Sequence, residues 1–281
     1  SQRPGKIVLT RPESLRAHPK RHPAWMVYKA GADKDGHILA LEAKITTDTG
    51  AYTSSGISVA YTMLSFATGA YYIPNIKIDV ANWYTNNGWS GAMRGFGTNQ
   101  VAFAMELHID QLARALNMDP FEFRMLNALD VGLPTATDHI LEEGVISFKE
   151  TLAAAREALN GIQLPTGDNH KKIGVGVGTM VKSVGYGRDV PEDAGVILDM
   201  NLSGQVTLRV SQHDMGQGSS TGLVQIAAWE LGIPVSQIDI VGPDTGQTPP
   251  TGSTNAQRQT FISGNAALLA CRDLKEELFN R

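Results

Sequence analysis

Three glycine-rich loops, each followed by a predicted helix, are the segments of this sequence best suited to binding a ligand. They cover residues 90–97, 212–220 and 251–260. Glycine lets the backbone approach a ligand closely, and the free amides at a helix start supply donors and a partial positive charge. The pattern therefore predicts that the chain holds a large anionic ligand with many hydrogen-bonding groups.

The first loop reads SGAMRGFG and leads into a helix predicted to begin at Thr98 or Asn99. The guanidinium of Arg94 can bind a phosphate or a polar ring edge through two parallel hydrogen bonds, and Phe96 offers a flat apolar face. The alternative is a tight strand-to-helix corner, with Arg94 paired to a surface carboxylate and Phe96 in the core. The residues alone leave both interpretations open.

The second loop contains Gly216-Gln217-Gly218 and has the spacing of an anion nest at a helix start. The side-chain amide of Gln217 can donate and accept hydrogen bonds at the same time. Thr221 stands where a dinucleotide fingerprint requires glycine, and no P-loop lysine follows. The alternative is a simple helix cap.

The third loop, residues 251–260, is almost free of apolar side chains. This composition suits it to forming several hydrogen bonds with a ligand or, as the alternative, to a loop that faces solvent.

Other common catalytic arrangements are not predicted. Cys271 lies in the middle of a predicted helix and is expected to pack in the core. The seven histidines lack metal-binding spacing, and neither Ser55 nor Ser183 has a nucleophile-elbow frame. Two adjacent carboxylate pairs are expected to be solvated, since neighbours in sequence converge poorly: Glu142-Glu143 and Glu192-Asp193.

The composition narrows the class of protein. The 281 residues carry a net charge of −4, which excludes non-specific nucleic-acid binding. No apolar stretch approaches the roughly 20 residues that span a bilayer, so no membrane partner is expected. A single cysteine fits a reducing compartment, and we predict a cytoplasmic protein. The start has neither an initiator Met nor a signal-peptide core, which predicts that the chain begins inside a longer gene product.

Both halves of the chain share one plan of strands, a glycine-rich loop and a helix. Strands are expected over most of residues 6–96, with a turn at residues 33–36, and again at residues 173–181, 195–200, 205–211 and 238–241. Helices are expected after Thr98, Asp119, Ser147, Gly218 and Ser263. The fold class is therefore α+β, with two lobes of mixed sheets and packed helices, residues 1–165 and 166–281, joined at a linker in residues 161–172.

Five strings in register resemble the molybdenum-binding subunit of the xanthine dehydrogenase/aldehyde oxidase family. The three loops match that family's Phe-Arg-Gly-Phe-Gly segment followed by Gln100, its Met-Gly-Gln-Gly turn, and its late Ser/Gln-rich loop ending at residues 264–266. Residues 21–23 and 72–76 also lie where the family has similar strings. The resemblance covers essentially the whole chain, and it implies a molybdopterin bound between two α+β lobes.

The resemblance also implies roles for individual residues. The metal is held by the cofactor, and no protein side chain ligates it. Phe96 would contact the substrate ring, and Thr62 would lie at the substrate site. The cofactor-binding residues that the resemblance implies are Met93, Arg94, Met215, Gly216, Gln217, Ala256, Gln257, Arg258 and Gln259. The implied cofactor is molybdopterin, often the cytosine dinucleotide form, with iron–sulfur and flavin (FAD) groups on other domains or subunits.

Departures from the family pattern limit the implied function. The family's Gly-Gly-Gly-Phe-Gly loop and its glutamate general base do not occur, so the chain is expected to be an internal fragment that has no catalytic residue and is inactive alone. It would be the end of the first lobe and the start of the second. The position at which purine-oxidising animal members have arginine falls near Thr62 in this chain, and Met93 replaces an aromatic residue. An aldehyde or N-heteroaromatic substrate is expected. The alternatives are an aromatic thioester reductase, a carbon monoxide dehydrogenase, or a module that binds a nucleotide-like ligand without redox chemistry.

Overall fold

The chain folds into two compact units, Ser1–Lys182 and Ser183–Arg281. The computed structural model describes residues 6–165, 167, 170–187 and 190–280. Each unit has its own three-stranded sheet and its own apolar core, and each is described separately below.

The first unit is built around a mixed sheet. Strand β1 (Ala24–Ala32) pairs antiparallel with β2 (Ile38–Gly50), and β2 pairs parallel with β3 (Asn75–Tyr84). The predicted turn between β1 and β2 is confirmed, since the Asp33 carboxylate accepts hydrogen bonds from the amides of Asp35 and His37. The parallel pairing of β2 with β3 requires a crossover, and a helix lies in that connection.

Five helices accompany this sheet in the described part of the first unit: α1 (Arg11–Ala17), α2 (Gly56–Ser65), α3 (Thr98–Ala115), α4 (Pro120–Leu126) and α5 (Phe148–Asn160). Helix α3 buries Val101, Met105, Ile109 and Ala113, one residue in every four, so these side chains lie on one face of the helix. Asp119 caps α4 as expected, because its carboxylate accepts from the amides of Phe121 and Glu122.

The second unit repeats the same connectivity. Strand β4 (Ile197–Met200) pairs antiparallel with β5 (Val206–Arg209), and β5 pairs parallel with β6 (Ile238–Val241). The crossover contains α6 (Ser219–Leu231), and a π-helical turn (Gln259–Ser263) leads into α7 (Gly264–Phe279). Cys271 is fully buried against Leu223 and Ala227, which confirms its predicted place in the core. The α+β class is confirmed in both units.

Three sequence-based assignments are wrong. Residues 6–10 form no strand and precede α1, and α2 occupies a region expected to be extended. Helix α2 forms because Val59 and Met63, one turn apart, both reach the core. Residues 173–181 alternate apolar residues with Gly174, Gly176 and Gly178 but form no strand; glycine weakens a strand, and no described strand pairs with this segment. The linker expected at residues 161–172 lies partly outside the described residues.

Within the described ranges, no helix combines the length and the apolar character that crossing a membrane requires.

Candidate functional site

The first loop connects β3 to α3 and is fixed against α2. Gly95 and Gly97 have φ values of 97° and 102°, and Phe96 between them has a φ of 52°. A Cβ added to Gly97 would lie 2.8 Å from the carbonyl oxygen of Val59 on α2. The loop therefore needs glycine at position 97 for both its backbone conformation and its close approach to a neighbouring helix.

Replacing Gly97 with alanine is expected to lower the free energy of unfolding of the first unit by about 2–3 kcal/mol, because the residue would be strained and its Cβ would meet backbone. Urea unfolding followed by circular dichroism measures the loss. Gly88→Ala is the matched control, since a Cβ there has nothing within 4 Å. Equal stability of the two variants would contradict the close approach of the loop to α2.

Arg21 and His22 run alongside the first loop and are bound to it. The Arg21 guanidinium donates from Nη2 to the carbonyl oxygen of Arg94 over 2.7 Å. The side-chain amide of Gln100 donates to the carbonyl oxygen of His22 over 3.0 Å. The resemblance placed residues 21–23 in register with the family, but residue spacing alone gave no sign that Arg21 braces the backbone of Arg94.

The predicted ligand-binding side chains of the first loop differ in their surroundings. Arg94 is exposed, and among the described residues it forms no ion pair with a carboxylate. Met93 is also exposed. Phe96 is partly buried against a cluster that contains Val59 and Met63, so its contact with a substrate remains a prediction. Thr62 lies on α2 beside Met63, and its hydroxyl donates to the carbonyl oxygen of Ser58.

Four of the buried polar atoms that lack a hydrogen-bond partner among the described residues lie beside the first loop. They belong to Arg21 (Nη1), His22 (Nε2), Thr98 (Oγ1) and Gln100 (Oε1). Burial lowers the pKa of His22, with Asp48 acting in the opposite direction, so the ring is neutral at neutral pH. Buried polar groups normally have partners, and this grouping therefore indicates a place for a polar ligand or bound water.

The nest of the second loop is filled by the chain's own carboxylate. Oδ1 of Asp214 accepts from the amides of Gly216 and Gly218 over 2.9 and 3.3 Å, and Oδ2 accepts from the amide of Ser220 over 3.1 Å. These bonds, that of Ser220 first, lower the pKa of Asp214. The nest geometry predicted for Gly216–Gly218 is present, but the loop itself supplies the anion.

The side chain of Gln217, an exposed residue, also hydrogen-bonds within its own loop. Its Oε1 accepts from the amide of Met215, and its Nε2 donates to the carbonyl oxygen of His213 over 2.9 Å and to Ser219 Oγ over 3.0 Å. Met215 itself is 72% exposed. In this conformation Gln217 braces the loop, whereas Met215 is free to meet a ligand.

Gln212 lies beneath the start of α6 and is 1% exposed. Its Nε2 donates to Ser220 Oγ over 2.7 Å, whereas its Oε1 has no partner among the described residues. The second loop therefore contains a buried acceptor that a ligand donor would satisfy.

The third loop is organised by Arg258, which is 1% exposed. Its Nε donates to a carboxylate oxygen of Glu192, and Nη2 donates to the carbonyl oxygen of Asp193. Nη1 donates to the carbonyl oxygens of Thr251 and Ser253 over 2.7 and 3.0 Å. The expectation of solvation is wrong for the Glu192 carboxylate, which pairs with Arg258, whereas Asp193 is exposed and contributes only its backbone carbonyl oxygen.

The residues around Arg258 are similarly constrained. Ala256 and Gln257 have φ values of 39° and 58°, and the carbonyl oxygen of Ala256 accepts from the amide of Gly185 over 2.8 Å. Gln259 is buried, and its Oε1 accepts from Ser263 Oγ within the π-helical turn. Such turns often occur at functional sites, because they displace backbone groups from regular helix bonding.

The second and third loops adjoin one another. The amide of His213 donates to Thr254 Oγ1 over 2.9 Å. The hydroxyl of Thr251, buried at the start of the third loop, has no hydrogen-bond partner in the part of the chain that the structure describes. Met215–Gln217 and Ala256–Gln259 therefore lie on adjoining loops of the second unit, in which Arg258 and Gln259 are buried, whereas Met93, Arg94, Phe96 and Thr62 belong to one region of the first. No group of three or more His, Cys, Asp or Glu side chains in the described ranges is placed to hold a metal ion.

Comparison with known proteins gives a consistent match over both units. Residues 1–128 and residues 148–281 each match a family model described as a molybdopterin cofactor-binding domain. The chain is 36% identical to a probable xanthine dehydrogenase subunit of Bacillus subtilis, covering 95% of this chain and 36% of that protein. It is 34% identical to an aldehyde oxidoreductase of Megalodesulfovibrio gigas, covering 91% of this chain and 28% of that protein.

Solved structures agree with the sequence match. The structure superposes with a TM-score of 0.80 on quinoline 2-oxidoreductase from Pseudomonas putida 86, at 25% identity, covering 96% of this chain and 36% of that one. The chain thus spans between 28% and 36% of the length of the relatives named here. It belongs to the molybdopterin cofactor-binding domain family, together with xanthine dehydrogenases and aldehyde oxidoreductases.

Proposed function

We propose that the chain is the cofactor-holding part of a molybdenum hydroxylase subunit that hydroxylates an aldehyde or an N-heteroaromatic carbon with oxygen from water. The observation that carries the proposal is the same at all three loops. Each combines left-handed backbone residues with at least one buried polar atom, in the loop or directly beside it, that has no partner among the described residues. The named relatives support the substrate class, because one is an aldehyde oxidoreductase and another acts on quinoline.

The residues of the three loops fit a pterin with an anionic tail. A pterin carries donors and acceptors around its ring, and the unpartnered atoms include acceptors (Gln100 and Gln212 Oε1), a donor (Arg21 Nη1) and a hydroxyl (Thr251). The exposed guanidinium of Arg94, which pairs with no described carboxylate, suits a phosphate or a polar ring edge. A Cβ added to Gly216 or Gly218 would meet nothing within 4 Å, so the backbone there is open to close approach.

The proposed residue roles follow from these surroundings. Met93, Arg94, Met215, Gly216 and Gln217 line the pterin, and the backbone of Ala256–Gln259 holds the pterin and its diphosphate. Arg258 acts through Thr251 and Ser253, whose carbonyl groups it fixes. Phe96 and Thr62 border the substrate. When bound, the molybdopterin supplies the redox centre that accepts two electrons from the substrate. The side chains of this chain bind and orient that cofactor.

The whole protein is proposed to contain further parts. A glutamate general base outside residues 1–281 removes a proton during hydroxylation, and iron–sulfur and flavin groups carry the electrons away. The cofactor is proposed to be the cytosine dinucleotide form, and the compartment is proposed to be the cytoplasm.

Elemental analysis of the complete subunit tests the proposal. We expect about one molybdenum per subunit and a fluorescent pterin in the denatured extract, together with oxidation of an aldehyde or N-heteroaromatic compound with an artificial electron acceptor. A folded subunit without molybdenum and pterin would overturn the proposal. Oxidation of carbon monoxide alone, by a subunit that does contain the cofactor, would overturn the substrate class only.

A further inference from the structure

Asp214 occupies the position at the start of α6 that an anionic ligand takes in other glycine-rich loops. Its two carboxylate oxygens accept from three backbone amides, those of Gly216, Gly218 and Ser220. All three acceptor contacts lie between 2.9 and 3.3 Å. The loop therefore carries its own counter-anion before any ligand arrives.

The glycines of this loop serve the turn and leave space around it. Gly216 and Gly218 have φ values of 95° and 77°, which L side chains rarely adopt. This conformation turns their amides towards Asp214. A Cβ added to either residue meets nothing within 4 Å, so no neighbouring group forces glycine there. The need for glycine comes from the curl of the backbone around the carboxylate.

A phosphate cannot share this nest with Asp214. The three amides are already hydrogen-bonded, and a second anion would be repelled by the carboxylate at short range. The charge of Asp214 is in turn stabilised by the partial positive charge at the start of α6. The second loop is thus unsuited to the diphosphate of a nucleotide-like cofactor.

We propose that Asp214 is a positioning residue, an internal anion that shapes the Met215–Gly218 turn and keeps phosphate out of it. The turn then offers its ligand the exposed side chain of Met215 and, beneath the helix start, the unpartnered acceptor Gln212 Oε1. Such a surface takes the donor-bearing edge of a neutral heterocycle. This choice of ligand rests on the proposed function, in which that heterocycle is the pterin.

Nuclear magnetic resonance on the 281-residue chain, labelled with ¹⁵N-glycine and ¹⁵N-serine, tests the filled nest with inorganic pyrophosphate as the probe. In the unmodified chain we expect no saturable shift of the Gly216, Gly218 and Ser220 amides. In Asp214→Ala we expect saturable shifts at all three, because the nest is then empty. Saturable shifts of equal size in the unmodified chain, or none in Asp214→Ala, would overturn the proposal.

Hydrogen exchange separates positioning from general folding. In Asp214→Ala the three amides are expected to exchange about tenfold faster or more, since each loses a charge-assisted hydrogen bond. Asp214→Asn retains an acceptor at Oδ1 but not at Oδ2, so Gly216 and Gly218 are expected to stay protected while Ser220 loses protection. Asp244→Ala is the matched control, because its Oδ1 accepts from the amide of Gly246 in a loop that starts no helix. Faster exchange at residues 216–220 in the Asp244 variant, or none in Asp214→Ala, would contradict the assignment.

Cofactor retention in the complete subunit connects Asp214 to the proposed function. Asp214→Ala is expected to lose pterin about tenfold faster during dialysis than the Asp244→Ala control, because the turn no longer holds one conformation. Equal rates of loss would refute the positioning role. A subunit that never contains pterin would instead refute the proposed function and leave the exchange and pyrophosphate results intact.

Discussion

Replacing Glu106 with alanine is expected to lower the free energy of unfolding of the first unit by about 3–5 kcal/mol, since it leaves the buried charge of Arg124 with a weaker partner. Arg124 is fully buried, and its Nε and Nη2 donate to Glu106 Oε2 over 3.0 and 2.9 Å. Asp110 also contacts Arg124 Nη2, but its side chain is 38% exposed, and solvent therefore weakens its interaction with the guanidinium.

The Glu106 carboxylate also accepts hydrogen bonds from residues other than Arg124. Its Oε1 accepts from the hydroxyl groups of Tyr71 and Thr179 over 2.6 and 2.7 Å, and its Oε2 accepts from the amide of Thr179 over 2.9 Å. Burial, reinforced by the charge of Glu106, raises the pKa of Tyr71, so the phenol stays protonated and donates. The substitution therefore also removes the acceptor for three further donors.

Urea unfolding followed by circular dichroism measures the loss, and two variants identify its cause. Glu122→Ala removes an exposed pair with Arg156 and is expected to cost about 0.5 kcal/mol or less. The double variant Glu106→Leu with Arg124→Met is expected to recover much of the stability, because it removes the uncompensated charge along with its partner. Equal losses of stability in Glu106→Ala and Glu122→Ala would contradict the role of Glu106 as the partner of the buried charge on Arg124.

The parts of the fold that the sequence predicts well are those set by local periodicity and capping. The helix after Gly97 follows from residues four apart that share one face, and the helix after Asp119 follows from a cap and a proline at its first position. Helix α2 is not predictable in the same way. Its sequence, GISVAYTMLS, is short and contains β-branched residues, and it is helical because Val59 and Met63 find a core assembled from distant residues.

The site is predictable at the level of segments and not at the level of side chains. The glycine-rich loops are visible in the sequence, but the partners of Gln217 and Arg258 are not. Arg258 binds Glu192, which lies 66 residues away, and no local pattern specifies that contact. Asp214 is the exception, since an aspartate two residues before a glycine is a recognisable turn signal in which its side chain binds the following amides.

Replacing Arg258 with methionine is expected to lower the free energy of unfolding of the second unit by about 3–5 kcal/mol and to disorder the third loop, because it leaves the largely buried Glu192 without its charge partner. The Glu192 side chain is 14% exposed, and that of Arg258 is 1% exposed. Three carbonyl oxygens, those of Thr251, Ser253 and Asp193, lose the hydrogen bond from Arg258 at the same time.

Hydrogen exchange over residues 251–259 and urea unfolding measure the two effects of Arg258→Met separately. Arg272→Met is the matched control in the same unit, because Arg272 is 53% exposed and its nearest Glu230 contact is 3.5 Å. The stability and loop protection of Arg258→Lys are expected to fall between those of Arg258→Met and Arg272→Met. Lysine keeps the charge but cannot donate to several carbonyl groups in fixed directions. A third loop as well protected in Arg258→Met as in Arg272→Met would show that Arg258 does not organise it.

The same variant separates a role in loop structure from a direct contact with the cofactor. Four donor contacts of Arg258 are directed at the chain itself, so we expect Arg258→Met to release pterin only in proportion to its loss of loop protection. Arg94→Met should behave differently, because Arg94 is exposed and no described carboxylate pairs with it. That variant is expected to lose pterin while its loop protection and stability stay unchanged. The opposite result, release from Arg258→Met without any loss of protection, would make Arg258 a direct ligand.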